Sequence, residues 1–270
     1  MLLEFLTIGE AGSKEFVVVN KNVSLYSAIR EIDKAGKDRA LVFENKRLIG
    51  IITKKDIVSR IITTKSRRLP PTALHVSSVM SYPLIKLPAE TLVVKASRVM
   101  LEKGISSIPA LRNDNVESLF SKWDIARLLT SEASPISSLM SSEVVTVHEN
   151  DSLIKIRKLI IEDDYSALPV LSSDNRVIGI VTIDELAKAL IELTDILSEG
   201  GAKDALRRVT ARDIMRPAVP ALLASDAIGM AAALMIEKGL RGVIVSSRGG
   251  ELVGIITLTD LTRFVARRGL

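Results

Sequence analysis

The segment Gly254-Ile255-Ile256-Thr257-Leu258-Thr259-Asp260 ends a β-branched run with a hydroxyl and, three positions later, a carboxylate. We call this pattern the exit motif. It recurs at three other places, which are Gly50–Asp56, Ser118–Asp124 and Gly179–Glu185. The distance from one hydroxyl to the next is 61 to 75 residues. A spacing of this kind indicates one structural unit used four times.

Other sequence features recur in register with the exit motif. Three repeats contain an apolar residue followed by methionine, at Met80, Met140 and Met215. A residue that tolerates the left-handed conformation lies 24 positions after each of them, namely Gly104, Asp164 and Gly239. Such residues commonly close helices. In the first repeat the same interval runs from Gly12 to Gly36, so this repeat has lost its methionine.

The pattern within one repeat predicts a strand, a helix, a β-hairpin and a second helix. Helical spacing of apolar residues precedes each closing residue, and two β-branched runs separated by turn residues follow it. We therefore predict an α/β (α+β) protein of four β-α-β-β-α repeats over residues 1–66, 67–132, 133–198 and 199–270. One repeat offers too little apolar area to stand alone, so the repeats are expected to pair sheet to sheet.

Composition narrows the class of protein. Of 270 residues, 47% are hydrophobic and 3% aromatic, which predicts an aliphatic core. Because the chain has no cysteine, disulfides and thiolate zinc sites are excluded. The start shows no signal-peptide pattern, and the apolar stretch from Pro217 to Ile236 is broken by Ser225-Asp226. We expect a cytoplasmic protein that does not enter a membrane.

Four exit motifs in register, together with Ser106-Ser107-Ile108-Pro109-Ala110 and Ser166-Ala167-Leu168-Pro169-Val170, resemble the CBS domain family. Tandem pairs in this family are called Bateman modules. The resemblance implies two such modules, at about residues 1–132 and 133–270, that pack into a disc or form one by homodimerisation. Proteins with four repeats also resemble the gamma regulatory subunit of AMP-activated protein kinase. This likeness implies AMP, ADP or ATP as ligand, a regulated protein partner and no enzymatic activity, with S-adenosylmethionine as an alternative ligand.

Family geometry implies that each binding cleft is built from both members of a pair. The Asp260 site would comprise Thr257, Asp260, Val144, Val145 and Tyr165-Ser166-Ala167-Leu168-Pro169. The Asp56 site would comprise Thr53, Asp56, Tyr82-Pro83-Leu84 and Ser106-Ser107-Ile108-Pro109. The Asp124 site would comprise Ser121, Asp124, Phe16-Val17-Val18 and Asp38-Arg39-Ala40. The Glu185 site would comprise Thr182, Glu185, Ala218-Val219 and Arg241-Gly242-Val243.

The exit motif has two readings. A hydroxyl followed three residues later by an acid at a helix start is also a capping box. For the aspartates both roles are compatible, because a short carboxylate can also accept hydrogen bonds from a ribose diol. Glu185 is one methylene longer, so we prefer capping there and expect that site to be weak, empty or altered. We rank the Asp260 site first, then the Asp56 site, then the Asp124 site. Ser118 replaces glycine and is expected to narrow the second repeat.

Cations are expected to balance the charge of the phosphates. Arg241 stands where proteins similar to the kinase gamma subunit often carry a base that reaches phosphate, and the alternative is a solvated arginine. Lys54, Lys55 and Lys122 lie in first helical turns, where we expect surface solvation in most cases. Trp123 is expected to pack between repeats rather than to stack on a base.

Two further classes of function stay open. The protein is a scaffold if all four motifs are only caps. It binds nucleic acid if the basic run containing Lys65, Arg67 and Arg68 contacts phosphates, in which case binding weakens steeply with salt. No P-loop, nucleophile elbow or zinc-protease motif occurs, and no metal site is assigned.

Overall fold

The computed structural model of the protein describes residues 3–61, 74–197 and 208–268. The basic run at residues 65–68 and the Gly200-Gly201 pair lie outside these ranges. Within them, every repeat contains the strand, helix, hairpin and helix that the sequence predicts.

The elements follow one another in the same order in each repeat. Repeat 1 contains α1 (Ile8–Ala11), β1 (Val17–Asn20), α2 (Leu25–Lys34), β2 (Arg39–Glu44), β3 (Arg47–Thr53) and α3 (Lys54–Ile61). Repeat 2 contains β4 (Leu87–Pro88), α4 (Val93–Glu102), β5 (Ser107–Arg112), β6 (Asn115–Ser121) and α5 (Lys122–Leu128). Repeat 3 contains β7 (Val147–His148), α6 (Leu153–Arg157), β8 (Ala167–Leu171), β9 (Val177–Thr182) and α7 (Ile183–Leu197). Repeat 4 contains α8 (Ala211–Ile214), β10 (Arg216–Pro217), β11 (Ala221–Leu223), α9 (Ile228–Lys238), β12 (Gly242–Ser246), β13 (Leu252–Thr257) and α10 (Leu258–Ala266).

Each repeat carries its own small sheet. The first strand pairs in parallel with the second, as Val17 does with Ala40, and the second pairs antiparallel with the third. Strand β10 of repeat 4 crosses to the sheet of repeat 3, where Arg216 pairs with Ile180. The residues predicted to close the first helix of each repeat all have a positive φ, between 59° and 62°, which confirms that prediction: Gly36, Gly104, Asp164 and Gly239.

Sheets pair within each predicted module. Between repeats 1 and 2, Leu41, Ile51 and Leu119 form one buried cluster. Between repeats 3 and 4, Ile180 and Ile255 belong to another such cluster. This pairing of sheets within each module confirms the two Bateman modules.

Helices join one module to the other. One large apolar core combines repeats 2 and 4, with Met100 and Leu261 among its fully buried members. The other core combines repeats 1 and 3, with Ile57 and Leu186. Full burial of such a side chain contributes about 1.5–3 kcal/mol, so these cores hold the modules firmly together. The helix starts of all four repeats are thereby brought towards a common centre.

Repeat 1 has Gly12 where the other repeats have methionine, and repeat 2 has Ser118 where the other repeats have glycine. These two departures occur at one and the same contact. A Cβ atom added to Gly254 would lie 2.9 Å from the Met140 sulfur, and one added to Gly179 would lie 2.7 Å from the Met215 sulfur. At the corresponding contact of repeats 1 and 2, Ser118 faces Gly12, and the Ser118 Oγ donates to the Ile8 carbonyl at 2.8 Å. Ser118 therefore does not narrow its repeat, because glycine replaces methionine opposite it.

Candidate functional site

Each aspartate of the exit motif closes a capping box. The hydroxyls of Thr257, Thr53 and Ser121 donate to the Oδ2 atoms of Asp260, Asp56 and Asp124 at 2.7, 2.8 and 2.6 Å. The backbone N–H of each hydroxyl residue donates to the same oxygen. One oxygen of each carboxylate is thus committed to the helix start. Burial raises the pKa of Asp56 and of Asp124.

The second oxygen of two of these carboxylates meets an exposed arginine. Asp260 Oδ1 lies 2.6 Å from Arg263 Nη1, and Asp124 Oδ1 lies 2.5 Å from Arg127 Nη1. Both arginines lie one helical turn further on and are about half exposed. Surface pairs of this kind contribute at most about 1 kcal/mol, so each arginine can move aside for another hydrogen-bond donor.

The four predicted sites open into two cavities. The first cavity has a volume of about 490 Å³ and joins the Asp260 site to the Asp56 site. Its lining includes these predicted residues: Thr257, Asp260, Val145, Ser166, Ala167, Thr53, Leu84, Ser106 and Ser107. The second cavity, of about 620 Å³, joins the Asp124 site to the Glu185 site. Its lining includes these predicted residues: Ser121, Asp124, Val17, Arg39, Glu185 and Arg241.

Thirteen predicted residues do not line either cavity. Eight of them are buried in strands, and these are Ala40, Ile108, Pro109, Leu168, Pro169, Thr182, Gly242 and Val243. Val18, Ala218 and Val219 also lie outside the lining of both cavities. Tyr82 is 75% exposed. Asp56 lies behind Thr53, which does line the first cavity, and is held there by its capping hydrogen bonds.

Arg241 is buried at the centre, where the repeats meet, so the solvated reading of this residue is wrong. Its Nε donates to Asp184 Oδ2 at 2.5 Å and its Nη2 donates to Asp38 Oδ2 at 2.8 Å. Burial alone would raise the pKa of both carboxyls, but Arg241 lowers it at Asp184, and Arg39 and Arg241 together hold it well below its usual range at Asp38. Arg241 thus ties repeat 4 to repeats 1 and 3.

Trp123 packs beside this arginine, as expected. Its Nε1 donates to Asp38 Oδ2 at 3.3 Å, and the Arg241 guanidinium lies 5.9 Å from the ring centroid. The same ring lines the second cavity.

Arg39 carries the unusual polar atom of the centre. Its side chain is 5% exposed, and its Nε and Nη2 each donate to Asp38 at 2.6 Å. Its Nη1 is buried and has no hydrogen-bond partner among the described residues. A buried donor without a partner costs about 1–3 kcal/mol, more when it is charged. Since Arg39 lines both cavities, an anion in either one is the natural partner for this donor.

Three lysines of the first helical turns also face the centre. Lys54 is 7% exposed and lies 3.0 Å from Asp33 and 3.4 Å from Asp184. Lys122 donates to the Thr259 hydroxyl of repeat 4 at 2.9 Å, and burial lowers its pKa to about 8. Lys55 pairs with Asp164 of repeat 3. The expectation of surface solvation is therefore wrong for Lys54 and Lys122.

Sequence reasoning missed the common role of the two positions between hydroxyl and acid. In the four repeats these positions hold Lys54 and Lys55, Lys122 and Trp123, Ile183 and Asp184, and Leu258 and Thr259. At least one of each pair contacts a different repeat at the centre. The signal was available, because three of the four positions that directly precede the acid hold a polar or charged side chain.

The Glu185 site is filled by the chain itself. Glu185 Oε2 accepts from the Thr182 hydroxyl at 2.6 Å, and Oε1 lies 2.9 Å from Arg216 Nη2. Arg216 also donates to the Lys238 carbonyl at 2.6 Å. The other repeats have serine at the position of Arg216, at Ser13, Ser81 and Ser141. This geometry favours the expectation of an altered site, because both oxygens of Glu185 are engaged.

Within residues 3–61, 74–197 and 208–268, no group of three or more histidine, aspartate or glutamate side chains is placed to hold a metal ion. None of the helices in that part of the chain has the length and apolarity that a membrane crossing requires.

Comparison with known proteins gives a consistent family. The family model described as CBS domain matches four times, at residues 8–63, 76–131, 136–192 and 211–267. The crystal structure of protein MJ1225 from Methanocaldococcus jannaschii, described as an archaeal homologue of the gamma subunit of AMPK, superposes with a TM-score of 0.85 at 21% identity, covering 96% of this chain and 99% of that one. In sequence, MJ1225 is 23% identical over 95% of this chain and 97% of its own length.

Two further likenesses are more distant or partial. An uncharacterised conserved protein from Pyrococcus horikoshii superposes with a TM-score of 0.65 at 16% identity, covering 96% of this chain and all of that one. A homoserine O-acetyltransferase of Methanohalobium evestigatum is 29% identical over 119 residues, or 44% of this chain. That match covers 24% of the enzyme, so the chain spans only about a quarter of this relative.

Proposed function

The chain belongs to the CBS domain family, and from this premise we propose that it is a regulatory protein that binds an adenosine phosphate in the cavities between its paired repeats. The observation that carries the proposal is the buried Arg39 Nη1, a cationic donor without a hydrogen-bond partner among the described residues, on a side chain that lines both cavities. This donor supports an anionic ligand. The Asp260 carboxylate, which lines the first cavity, supports a sugar.

The ribose would lie against the exit motif. Asp260 keeps Oδ2 in the capping box, and its Oδ1 exchanges the exposed Arg263 for a ribose hydroxyl. Val145, Ala167 and Ile255 line the same cavity with apolar surface suited to a purine. The arrangement lets one carboxylate serve as both cap and sugar ligand.

The phosphates would point to the centre of the molecule. Six basic residues line the first cavity against four acidic ones, and the basic residues are Arg39, Lys54, Lys55, Lys122, Arg241 and Arg263. The start of α10 adds the positive end of the helix dipole. This surplus of positive charge favours AMP, ADP or ATP over S-adenosylmethionine, whose sulfonium is itself a cation.

A ligand at the centre would act on all four repeats at once. Arg39, Lys122, Asp184 and Arg241 come from repeats 1, 2, 3 and 4 and are joined there through Asp38 and Thr259. A phosphate that draws the two arginines away from their aspartates would change how the modules sit against each other. Such a shift controls a partner only if the partner prefers one arrangement.

The likeness to MJ1225, which is described as a homologue of a kinase regulatory subunit, supports an unidentified protein partner. We also propose a cytoplasmic location and a homodimer, as the sequence and the family resemblance imply. We propose no acetyltransferase activity, because the match to the homoserine O-acetyltransferase covers 119 residues and only 24% of that enzyme.

A calorimetric titration tests the proposal. AMP, ADP, ATP and S-adenosylmethionine would each be titrated into the wild-type protein and into the Arg39→Met variant, which keeps an unbranched apolar stem and removes the guanidinium with its charge. We expect saturable binding of adenosine phosphates that Arg39→Met weakens at least about tenfold, since a hydrogen bond to a charged group contributes about 1.5–3 kcal/mol. A protein that binds none of these compounds at millimolar concentration is the scaffold of capped helices described above.

A further inference from the structure

Lys122 occupies an unusual position in the first cavity. It begins α5 of repeat 2 in the first module, yet its Nζ donates to the Thr259 hydroxyl of repeat 4 in the second module at 2.9 Å. The Thr259 Oγ1 lies 3.4 Å from the Ser166 Oγ of repeat 3. The amine therefore ends in a small group of neutral hydroxyls inside the cavity.

The other two lysines of this cavity differ in their partners. Lys54 pairs with Asp33 and Asp184, and Lys55 pairs with Asp164. In the described part of the chain the ion pairs include none for Lys122, whose partner is a hydroxyl. A lysine held by a carboxylate is kept in its charged form, whereas a hydroxyl accepts equally well from a neutral amine.

The charges that face Lys122 act in opposite directions. Burial lowers the pKa of Lys122 to about 8; Asp164 and Asp260 oppose this effect, and Arg39 and Arg241 add to it. At pH 7 about a tenth of Lys122 is thus a neutral amine, a fraction that rises with pH. When one N–H of that amine donates to Thr259, the nitrogen lone pair stays available for attack.

An anion-binding corner lies in the same cavity. Arg39, with its unpartnered buried Nη1, and Arg241 both line it together with Lys122. A phosphate held by these arginines would leave whatever is attached to it close to the Lys122 amine. Holding a reactant beside a nucleophile replaces a bimolecular encounter by a local one and can raise the rate by orders of magnitude.

We propose that Lys122 is an acylation site that reacts with acyl–phosphate mixed anhydrides entering the first cavity. The Lys122 lone pair attacks the acyl carbon, and a nitrogen–carbon bond forms. The bond from that carbon to the phosphate oxygen breaks, and phosphate departs with the bonding electron pair. The nitrogen loses one proton to water, so the products are an amide and a phosphate anion, without any oxidant or reductant.

Acylation would change the cavity, since it removes the positive charge of Lys122. If the proposed nucleotide function is correct, the modified protein binds phosphates less tightly. The affinity for nucleotide then falls as the concentration of acyl donors rises. The acylation itself does not depend on that function, because it requires only a phosphate-bearing donor. Acetyl phosphate and acetyl adenylate share this chemistry and differ in whether the adenosine site contributes.

Site-resolved mass spectrometry of the full chain tests the inference. The protein would be incubated with acetyl phosphate or acetyl adenylate at pH 7 and pH 8.5, and the initial rate of acetylation would be measured at Lys122, Lys54 and Lys55. We expect Lys122 to react at least about tenfold faster than either ion-paired lysine. Its rate should rise between the two pH values. Faster reaction with acetyl adenylate would identify a nucleotide as the source of the donor, and equal rates would identify the simple acyl phosphate.

Two variants serve as matched controls. Lys122→Arg keeps the charge and should abolish the fast phase of acetylation, whereas Lys95→Arg, at an exposed lysine that lines neither cavity, should leave it unchanged. Acetylation of Lys122 no faster than that of Lys54 and Lys55 would overturn the inference. AMP binding measured on the same sample separates the two proposals: binding without fast acetylation removes only this inference, and fast acetylation without binding removes only the proposed function.

Discussion

The two cavities are built from the same repeated elements, yet they differ in the side chains that stand at their exit motifs. In the first cavity the motifs of repeats 1 and 4 carry aspartates, and the position equivalent to Arg216 is occupied by Ser81 and Ser141, which line the cavity. In the second cavity repeat 3 carries Glu185, and Arg216 occupies the position of those serines and pairs with it. The repeat thus supplies the same scaffold to both cavities, and we propose that these two side chains per site decide whether a ligand can enter.

The centre belongs to both cavities and provides the largest test of this comparison. Arg241→Ala should lower the free energy of unfolding by about 3–5 kcal/mol, because it leaves Asp38 and Asp184 buried without this cation. Since Arg241 lines both cavities, ligand binding should weaken in both. Urea denaturation followed by circular dichroism measures the loss. The exposed Arg263→Ala variant is the control and should change stability by no more than about 1 kcal/mol.

Equivalent substitutions in the two cavities should differ in their effect on binding. Asp260→Ala and Glu185→Ala each remove a capping box and should each cost about 0.5–2 kcal/mol of stability. Only Asp260→Ala should also weaken AMP, by roughly 10-fold to 100-fold, because a charge-assisted hydrogen bond to the ribose is lost. Calorimetric titration of both variants measures this. Equal loss of AMP affinity in both would erase the distinction between the cavities.

The difference can also be removed by design. The double change Glu185→Asp and Arg216→Ser gives the Glu185 site the acid and the serine that the other three sites have. We expect one additional molecule of adenosine phosphate to bind per chain, because the carboxylate is shortened and its arginine partner is gone. Stoichiometry from equilibrium dialysis measures the gain. An unchanged stoichiometry would show that the backbone of repeat 3, and not these side chains, closes the site.

The smallest expected effect is on pH dependence, and it is confined to the first cavity. Lys122 has a pKa of about 8, so its charge is present below pH 8 and is lost as the pH rises above it. Raising the pH from 7 to 9 should weaken ATP about fivefold, since one cation near a phosphate contributes about 1 kcal/mol. Titrations across this range measure the change. The Lys122→Arg variant should lack it, and a slope that persists in that variant would assign the titration to another group.

The fold was largely predictable because its signals are local. The hydroxyl–acid spacing, the methionines and the left-handed positions from Gly36 to Gly239 are each fixed by a few neighbouring residues. The exact N-cap residues of three helices were not predictable from sequence. The sequence indicates helix starts at Thr91, Asp151 and Ser225-Asp226, whereas the N-caps are Leu92, Ser152 and Ala227. Asp151 and Asp226 instead accept from the backbone N–H groups of His148 and Leu223 in the preceding turn.

The candidate site was predictable only in part, because its charges meet through the assembly of the modules. The carboxylates and hydroxyls of the exit motif follow from sequence. The burial of Lys54, the reach of Lys122 into repeat 4 and the pairing of Arg216 with Glu185 depend on contacts between residues 21 to 137 positions apart. No pattern in a single repeat encodes such contacts. The contact of Lys54 with Asp184 joins repeats 1 and 3, that of Lys122 with Thr259 joins repeats 2 and 4, and that of Arg216 with Glu185 joins repeats 3 and 4.

The most direct test of the central claim is a crystal structure of the protein grown with AMP. The account predicts AMP in the first cavity, with a ribose hydroxyl on Asp260 or Asp56 and a phosphate oxygen within hydrogen-bond distance of Arg39 Nη1. AMP bound with its phosphate turned away from Arg39, or both cavities empty at millimolar AMP, would contradict it.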